Sequence, residues 1–188
     1  MQRYFAVLAV VLLLGMVLVR GLLMRRQGIN AFHFGSIDKT DFLIPPFALF
    51  YFYTVFAAAF HFPTVSRQEF FQSGTVAWVG VFLCLAGLFL LLLSLVSFGK
   101  SFRVGIDRND ADELVTTGIF GLSRNPIYVA FGVFLLGQFL VFPNWILLVY
   151  LVAGAWLFNR QVLREEEYMR NHYGQQYLDY CQRVRRYL

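Results

Sequence analysis

The stretch IYVAFGVFLLGQFLVFPNWILLVYLVAGAWLF, residues 127–158, decides the fold. It carries no formal charge, so it belongs in hydrocarbon, yet it is too long for one ordinary crossing of an apolar layer roughly 30 Å thick. Pro143 and Asn144 interrupt it, and such a pair closes one helix and opens the next. The reading is a tight helical hairpin of two short spans, 127–142 and 145–158, which returns to the side of the membrane it left.

Three further apolar stretches precede the hairpin. Residues 4–23 hold a single charge, Arg20, and residues 42–62 and 75–98 hold none. At about 1.5 Å of rise per residue, each is long enough to cross. The first reads as an anchor rather than a cleaved leader, because its core is long, no small-residue cleavage pattern follows, and Arg25-Arg26 come next. The expected architecture is an all-α integral membrane protein of about five transmembrane helices, followed by cytoplasmic C-terminal amphipathic helices. We treat 1–188 as one membrane domain, with a three-span region over 1–98 and a polar-rich region over 99–188. Composition agrees: 59% of the 188 residues are apolar and 14% are charged, whereas a soluble domain carries about 25% charged residues. The 22 phenylalanines exclude a disordered chain.

Charge placement sets the expected orientation. Lys100, Arg103, Arg108 and Arg124 precede the hairpin and Arg160, Arg164, Arg170, Arg183, Arg185 and Arg186 follow it, so all ten share one side. Counting back through the spans adds Arg25, Arg26 and Lys39, and leaves Arg3 and Arg67 opposite. The positive-inside rule then places the C-terminus in the cytoplasm and the N-terminus outside. The net charge of +5 follows from topology and attraction to anionic lipid headgroups, and asks for no nucleic-acid partner. Cys84 and Cys181 fall at different depths, so no disulfide is expected. His33, His61 and His172 stand apart from one another and from the cysteines, which argues against a metal site. No nucleophile elbow, phosphate loop or dinucleotide fingerprint occurs.

Polar residues concentrate at 99–128 and 159–188, and the hairpin forces these segments together. In the first, Asn125 and Pro126 suit the residues that open a helix, with Arg124 beside them. A capped helix with an interfacial arginine would explain them as well as a binding site would. In the second, a continuing helix places Gln161, Arg164, Glu165 and Tyr168 on one face. An arginine and a carboxylate converging there suit a zwitterionic ligand, although solvation at a membrane boundary is the plainer account. Gly174 should interrupt this helix. Beyond it, Tyr177, Tyr180, Val184 and Tyr187 recur at three and four residues, the pattern of an amphipathic helix resting on the bilayer.

Three motifs in order carry a resemblance: Glu113-Leu-Val-Thr-Thr-Gly-Ile-Phe-Gly-Leu-Ser-Arg-Asn-Pro-Ile-Tyr128, then Arg164-Glu-Glu, then Tyr173-Gly-Gln-Gln-Tyr-Leu-Asp-Tyr180 with Arg183-Val-Arg-Arg186. Over about the last 80 residues the chain resembles the isoprenylcysteine carboxyl methyltransferase family, which in turn resembles the phospholipid N-methyltransferases. The first three spans match only in being hydrophobic. The resemblance implies an integral-membrane methyltransferase, of the type found in the bacterial inner membrane. Its methyl donor would be S-adenosyl-L-methionine, held in a cytoplasm-facing pocket under the C-terminal helices, and its acceptor a lipophilic molecule entering from the bilayer.

By position, the resemblance implies that Asp112, Glu113, Leu114 and Val115 border the adenine, with Gly118 and Phe120 beside them. Arg124, Asn125, Pro126, Ile127 and Tyr128 would line the methionine and ribose end. Glu165 would contact the donor, and Arg164 and Glu165 would act at the reacting centre. S-adenosylmethionine carries a sulfonium, an ammonium and a carboxylate, so both signs of charge are needed: Arg124 suits the carboxylate, and Glu165 or Glu166 the ammonium. Methyl transfer asks for alignment and exclusion of water more than proton transfer.

Three residues depart from the family pattern. Its Arg-His-Pro is Arg124-Asn125-Pro126 here, its tyrosine before the turn is Phe120, and an arginine near the acceptor carboxylate aligns with Gln161. Asn125 cannot titrate near neutral pH. A prenylcysteine carboxylate would therefore have to be received by Arg160 or Arg164 rather than by Gln161. Two other classes share the pattern: an NADPH-dependent membrane reductase of the sterol-reductase type, and a non-catalytic membrane protein on the same scaffold.

Overall fold

The computed structural model describes residues 1–26, 44–63, 69–98 and 114–188, with residues 44–47 described by backbone alone. These form α1 (Gln2–Arg26), α2 (Ile44–Phe60), α3 (Gly74–Phe98), α4 (Pro126–Val141), α5 (Trp145–Tyr173) and α6 (Gln175–Arg183), with a 3-10 turn at Gly118–Gly121 before α4. Helices α1, α3 and α5 are long and apolar enough to cross a membrane, and α2 and α4 are shorter apolar helices. The protein is thus an all-α integral membrane protein.

The hairpin turn lies where the Pro-Asn pair requires it. The Asn144 side chain caps α5 by accepting the backbone N–H of Leu147 at 3.0 Å, one of the donors a helix start leaves unpaired. The Pro143 carbonyl accepts from the backbone N–H of Phe70 at 2.7 Å, and Glu69 accepts from the Arg3 guanidinium at 2.5 Å. Arg3, Glu69 and the turn therefore share one end of the bundle. From there α5 runs past residue 158 as a single helix to Tyr173, where Gly174 (φ +54°) stops it. A helix of 29 residues is about 43 Å long, more than the apolar layer requires. Its polar half, 159–173, therefore projects as a rod carrying Arg160 to Glu167 clear of the hydrocarbon.

Five helices supply the core. Val7 and Val10 from α1, Tyr51 and Val55 from α2, Cys84 and Leu88 from α3, Phe134 from α4, and Leu147 and Tyr150 from α5 form one apolar cluster. In lipid the hydrophobic effect does not drive helices together, so close packing must. The α3–α4 contact is close because it is built on small residues: a Cβ at Gly80 would sit 2.6 Å from the Gly137 carbonyl oxygen, and one at Gly87 2.9 Å from that of Ala130. Gln138, fully buried in this contact, donates to the Ala6 carbonyl at 2.9 Å and ties α4 to α1. The outward faces of α3 and α5 are apolar and exposed, including Phe82, Phe89, Val152 and Trp156, as a lipid-facing surface requires.

One expectation from periodicity is overturned. The tyrosines after Gly174 do not rest on the bilayer: Tyr177 and Tyr180 are 2% and 3% exposed within the protein itself. Helix α6 ends at Arg183, and Val184 is already extended, so Val184 and Tyr187 do not continue its face. A tyrosine stripe reads the same whether it covers lipid or protein. Here the charged mouth of the hairpin offers the hydroxyl groups partners that lipid tails would not.

Candidate functional site

The site is assembled at the open end of the α4–α5 hairpin, beginning where the chain leaves the 3-10 turn. Gly118 has φ +63°, and a Cβ there would fall 2.4 Å from the Ser97 hydroxyl oxygen, so the turn closes onto the end of α3 only with glycine. This seats Phe120 edge-on against Phe98, with centroids 4.9 Å apart, and the Tyr180 hydroxyl donates to the Phe120 carbonyl at 2.6 Å. Burial pushes the Tyr180 phenol up to about 12, against the pull of Arg124, so at neutral pH it remains a donor.

After the turn the chain pairs with its own final segment. The Arg124 backbone N–H donates to the Arg185 carbonyl at 2.9 Å, and the Ser123 hydroxyl to the Arg186 carbonyl at 3.4 Å. Asn125 precedes α4 but makes no capping bond. Its amide instead donates to Glu166 Oε1 at 3.3 Å and to the Arg186 carbonyl at 3.1 Å. Helix capping is therefore not the task of this side chain, whatever its position suggests.

Glu166, 5% exposed, is the hub. Its Oε1 faces the Arg124 guanidinium at 3.3 Å, and its Oε2 accepts from Arg186 at 2.8 and 3.0 Å. The hydrogen bond to Glu166 raises the Arg186 pKa above its ordinary value. A carboxylate buried among two guanidinium groups and an amide has its desolvation offset by charge-assisted bonds. Arg124 also contacts the Cys181 thiol, which ties α6 to the same point. The Arg124 Nε, however, is buried with no hydrogen-bond partner among the described residues.

The preceding residue has different surroundings. Glu165 Oε1 accepts from the Tyr128 hydroxyl at 2.7 Å and from the Gln161 amide at 2.9 Å. Burial raises its carboxyl above the usual range while both hydrogen bonds hold it down. Tyr128 and Phe131 each lie beside the Phe158 ring, at 5.8 and 5.9 Å, so an aromatic strip leads from Glu165 back toward the apolar part of the hairpin. Tyr187 closes the near edge, its hydroxyl donating to Asn159 Oδ1 at 2.8 Å.

The structure thus brings Gly118, Phe120, Arg124, Asn125, Pro126, Ile127, Tyr128, Gln161, Glu165 and Glu166 to one end of the hairpin, with Leu114 and Val115 leading into it. Asp112 and Glu113 lie outside the described residues. Arg160 and Arg164 are exposed, Arg160 resting over the Trp156 ring at 5.7 Å. Arg186 and Tyr180 also belong to this end, although the sequence pattern reads Tyr180 as facing the bilayer and Arg186 only as one of the basic residues of one side. Their position in the motif of the final segment was the signal available, and what they touch required the fold.

The family described as Phospholipid methyltransferase matches residues 75–176, a range that takes in α3 as well as the hairpin. Among curated proteins, the protein-S-isoprenylcysteine O-methyltransferase of Schizosaccharomyces pombe (strain 972 / ATCC 24843) is 33% identical over 106 residues, which is 55% of this chain and 44% of that protein. A probable protein-S-isoprenylcysteine O-methyltransferase of Oryza sativa subsp. indica is 29% identical, covering 58% of this chain and 59% of its own length. The protein-S-isoprenylcysteine O-methyltransferase of Rattus norvegicus is 30% identical, covering 58% of this chain and 40% of its own length. The chain spans about half the length of these curated relatives.

Proposed function

The chain belongs to the phospholipid methyltransferase family, close to isoprenylcysteine carboxyl methyltransferases, and from that premise we propose that it transfers a methyl group from S-adenosyl-L-methionine to a lipophilic acceptor at the cytoplasmic face of a membrane. The observation that carries this reading is the meeting of both signs of charge at the mouth of the hairpin, with the buried Arg124 Nε left without a partner among the described residues. An amino-acid zwitterion asks for that donor set. When bound, S-adenosylmethionine supplies an electrophilic methyl group on sulfur.

The chain's own residues orient and enclose. Arg124, held beside Glu166 and Cys181, offers its guanidinium to a carboxylate. Glu165 and Glu166 supply the negative charge for an ammonium, and Tyr180 holds the Phe120 turn that, with Gly118, Leu114 and Val115, would border the base. Pro126 and Ile127 carry the chain into α4, and Tyr128 aligns the acceptor side. With α6 and the final segment packed across this end, water is kept from the reacting atoms, the main service the protein can give a displacement at carbon. The cytoplasmic orientation rests on the distribution of basic residues, and the bacterial inner membrane on the resemblance of Arg124-Asn125-Pro126 to bacterial members of the family.

Titration of detergent-purified protein with S-adenosylhomocysteine tests the reading. Arg124→Ala should weaken binding about 30-fold, the equivalent of about 2 kcal/mol for a charge-assisted pair. No binding by the intact chain, or binding of NADPH in its place, would overturn it.

A further inference from the structure

The negative charge that Glu166 would offer a donor is already in use. A carboxylate has about four acceptor positions. Those of Glu166 are taken up by the Arg124 guanidinium at 3.3 Å, the Asn125 amide at 3.3 Å, and two contacts from Arg186 at 2.8 and 3.0 Å. An α-amino acid carries its ammonium and its carboxylate on one carbon, so the groups that receive them must be neighbours. Arg124 and Glu166 meet that condition, whereas Glu165 is turned toward Tyr128 and Gln161. The ammonium of a donor held by Arg124 therefore reaches Glu166 only where another group lets go.

The three occupants differ in what release costs. The Arg124 side chain is 12% exposed and Asn125 is 9% exposed, so parting either from Glu166 strands a buried polar group. The Arg186 side chain is 40% exposed, and its guanidinium exchanges the carboxylate for water at little cost. Arg186 also stands beyond the end of α6, after the extended Val184, where no helix fixes its direction. What holds it over Glu166 is the next residue: the Tyr187 hydroxyl donates to Asn159 Oδ1 at 2.8 Å, an exposed bond.

We propose that Arg186 is a built-in competitor of the donor's ammonium: it neutralises Glu166 in the ligand-free protein and swings into water when the donor binds, with Tyr187 setting how readily it leaves. The proposal rests on the methyltransferase reading above and adds an exchange of one cation for another at the same carboxylate. Glu166 is then never buried without its counter-charges, a costly state. The backbone pairing of Arg124 with Arg185 at 2.9 Å keeps its place, so the side chain moves and the segment stays.

The test titrates the intact protein in uncharged detergent with S-adenosylhomocysteine and with methylthioadenosine, which keeps the nucleoside and lacks both ammonium and carboxylate. Arg186→Gln should bind S-adenosylhomocysteine about fivefold more tightly, the upper range for a half-exposed ion pair, with no such gain for methylthioadenosine. Arg186→Lys, which keeps the charge, should gain less. In thermal unfolding, Arg186→Gln should melt lower than the unmodified chain without ligand, yet rise further at saturating S-adenosylhomocysteine. Tyr187→Phe removes only an exposed hydrogen bond and should speed S-adenosylhomocysteine association about threefold with the fold intact. Weaker or unchanged S-adenosylhomocysteine binding in Arg186→Gln, an equal gain for methylthioadenosine, or an unchanged association rate in Tyr187→Phe overturns the proposal. Where Arg186→Gln does not fold, the Tyr187→Phe rate decides. No S-adenosylhomocysteine binding by the unmodified protein overturns the methyltransferase reading instead, so the two failures are distinguishable.

Discussion

The hairpin has two ends, and each is held by a glutamate and arginine. At the turn, one arginine meets one glutamate, Arg3 and Glu69, beside a capped and fully paired Pro143-Asn144 corner. At the mouth, two arginines meet Glu166, a third polar side chain joins them, and a buried guanidinium nitrogen has no partner among the described residues. The first arrangement is closed and locks a corner. The second holds more donors than its carboxylate uses, the condition for a binding site rather than a fastening. Similar side chains thus do different work according to how many of their hydrogen bonds the chain satisfies by itself.

Removing each hub is the strongest way to break this contrast. Glu166→Ala leaves the largely buried Arg124 without its counter-charge and should lower stability by about 3 kcal/mol, while the half-exposed Arg186 turns to water. Thermal unfolding in detergent should show the loss together with failure to bind S-adenosylhomocysteine. Gly118→Val, at positive φ and against Ser97, should cost about 2 kcal/mol through strain. Because it displaces the turn rather than the charges, donor-analogue affinity should drop more than the unfolding midpoint.

Tyr180→Phe removes one buried hydrogen bond and should cost about 1 kcal/mol. The phenol's folded pKa of about 12 lies above its ordinary value of 10.0. Its contribution is therefore complete below pH 10 and is lost as pH rises through 12. An unfolding series at rising pH should show a fall in that window that is shallower in Tyr180→Phe. Smallest is the turn: Glu69→Gln breaks a partly exposed pair and should cost less than about 1 kcal/mol, with S-adenosylhomocysteine affinity unchanged. A large effect there on affinity would erase the distinction between the ends.

Sequence disclosed the scaffold well. Uncharged length gave the spans, and Pro143-Asn144 gave the corner, because both depend on local chemistry and the thickness of a bilayer. The seven-residue spacing of Gly80 and Gly87 on α3 and of Ala130 and Gly137 on α4 was equally local, but it acquires meaning only when those helices are known to touch. The charged mouth was legible as a place and not as a division of labour. Glu165 and Glu166 are neighbours in sequence, yet about 100° of helical turn separates them, enough to send one to the arginines and the other to Tyr128 and Gln161. Asn125 shows the same limit: its position suits a cap as well as a binding site, and only the arrival of Glu166 from 41 residues away explains why its amide turns from the helix end.

The pairing of Ser123 and Arg124 with Arg185 and Arg186 bears on assembly. Contacts between residues 61 to 63 positions apart close only after the two intervening spans have entered and recrossed the bilayer. Until then Arg124 and Glu166 are separated charges at a membrane surface. A chain whose hairpin fails to insert would thus lack the proposed ligand site as well as its proper topology, which makes S-adenosylhomocysteine binding a test of correct insertion.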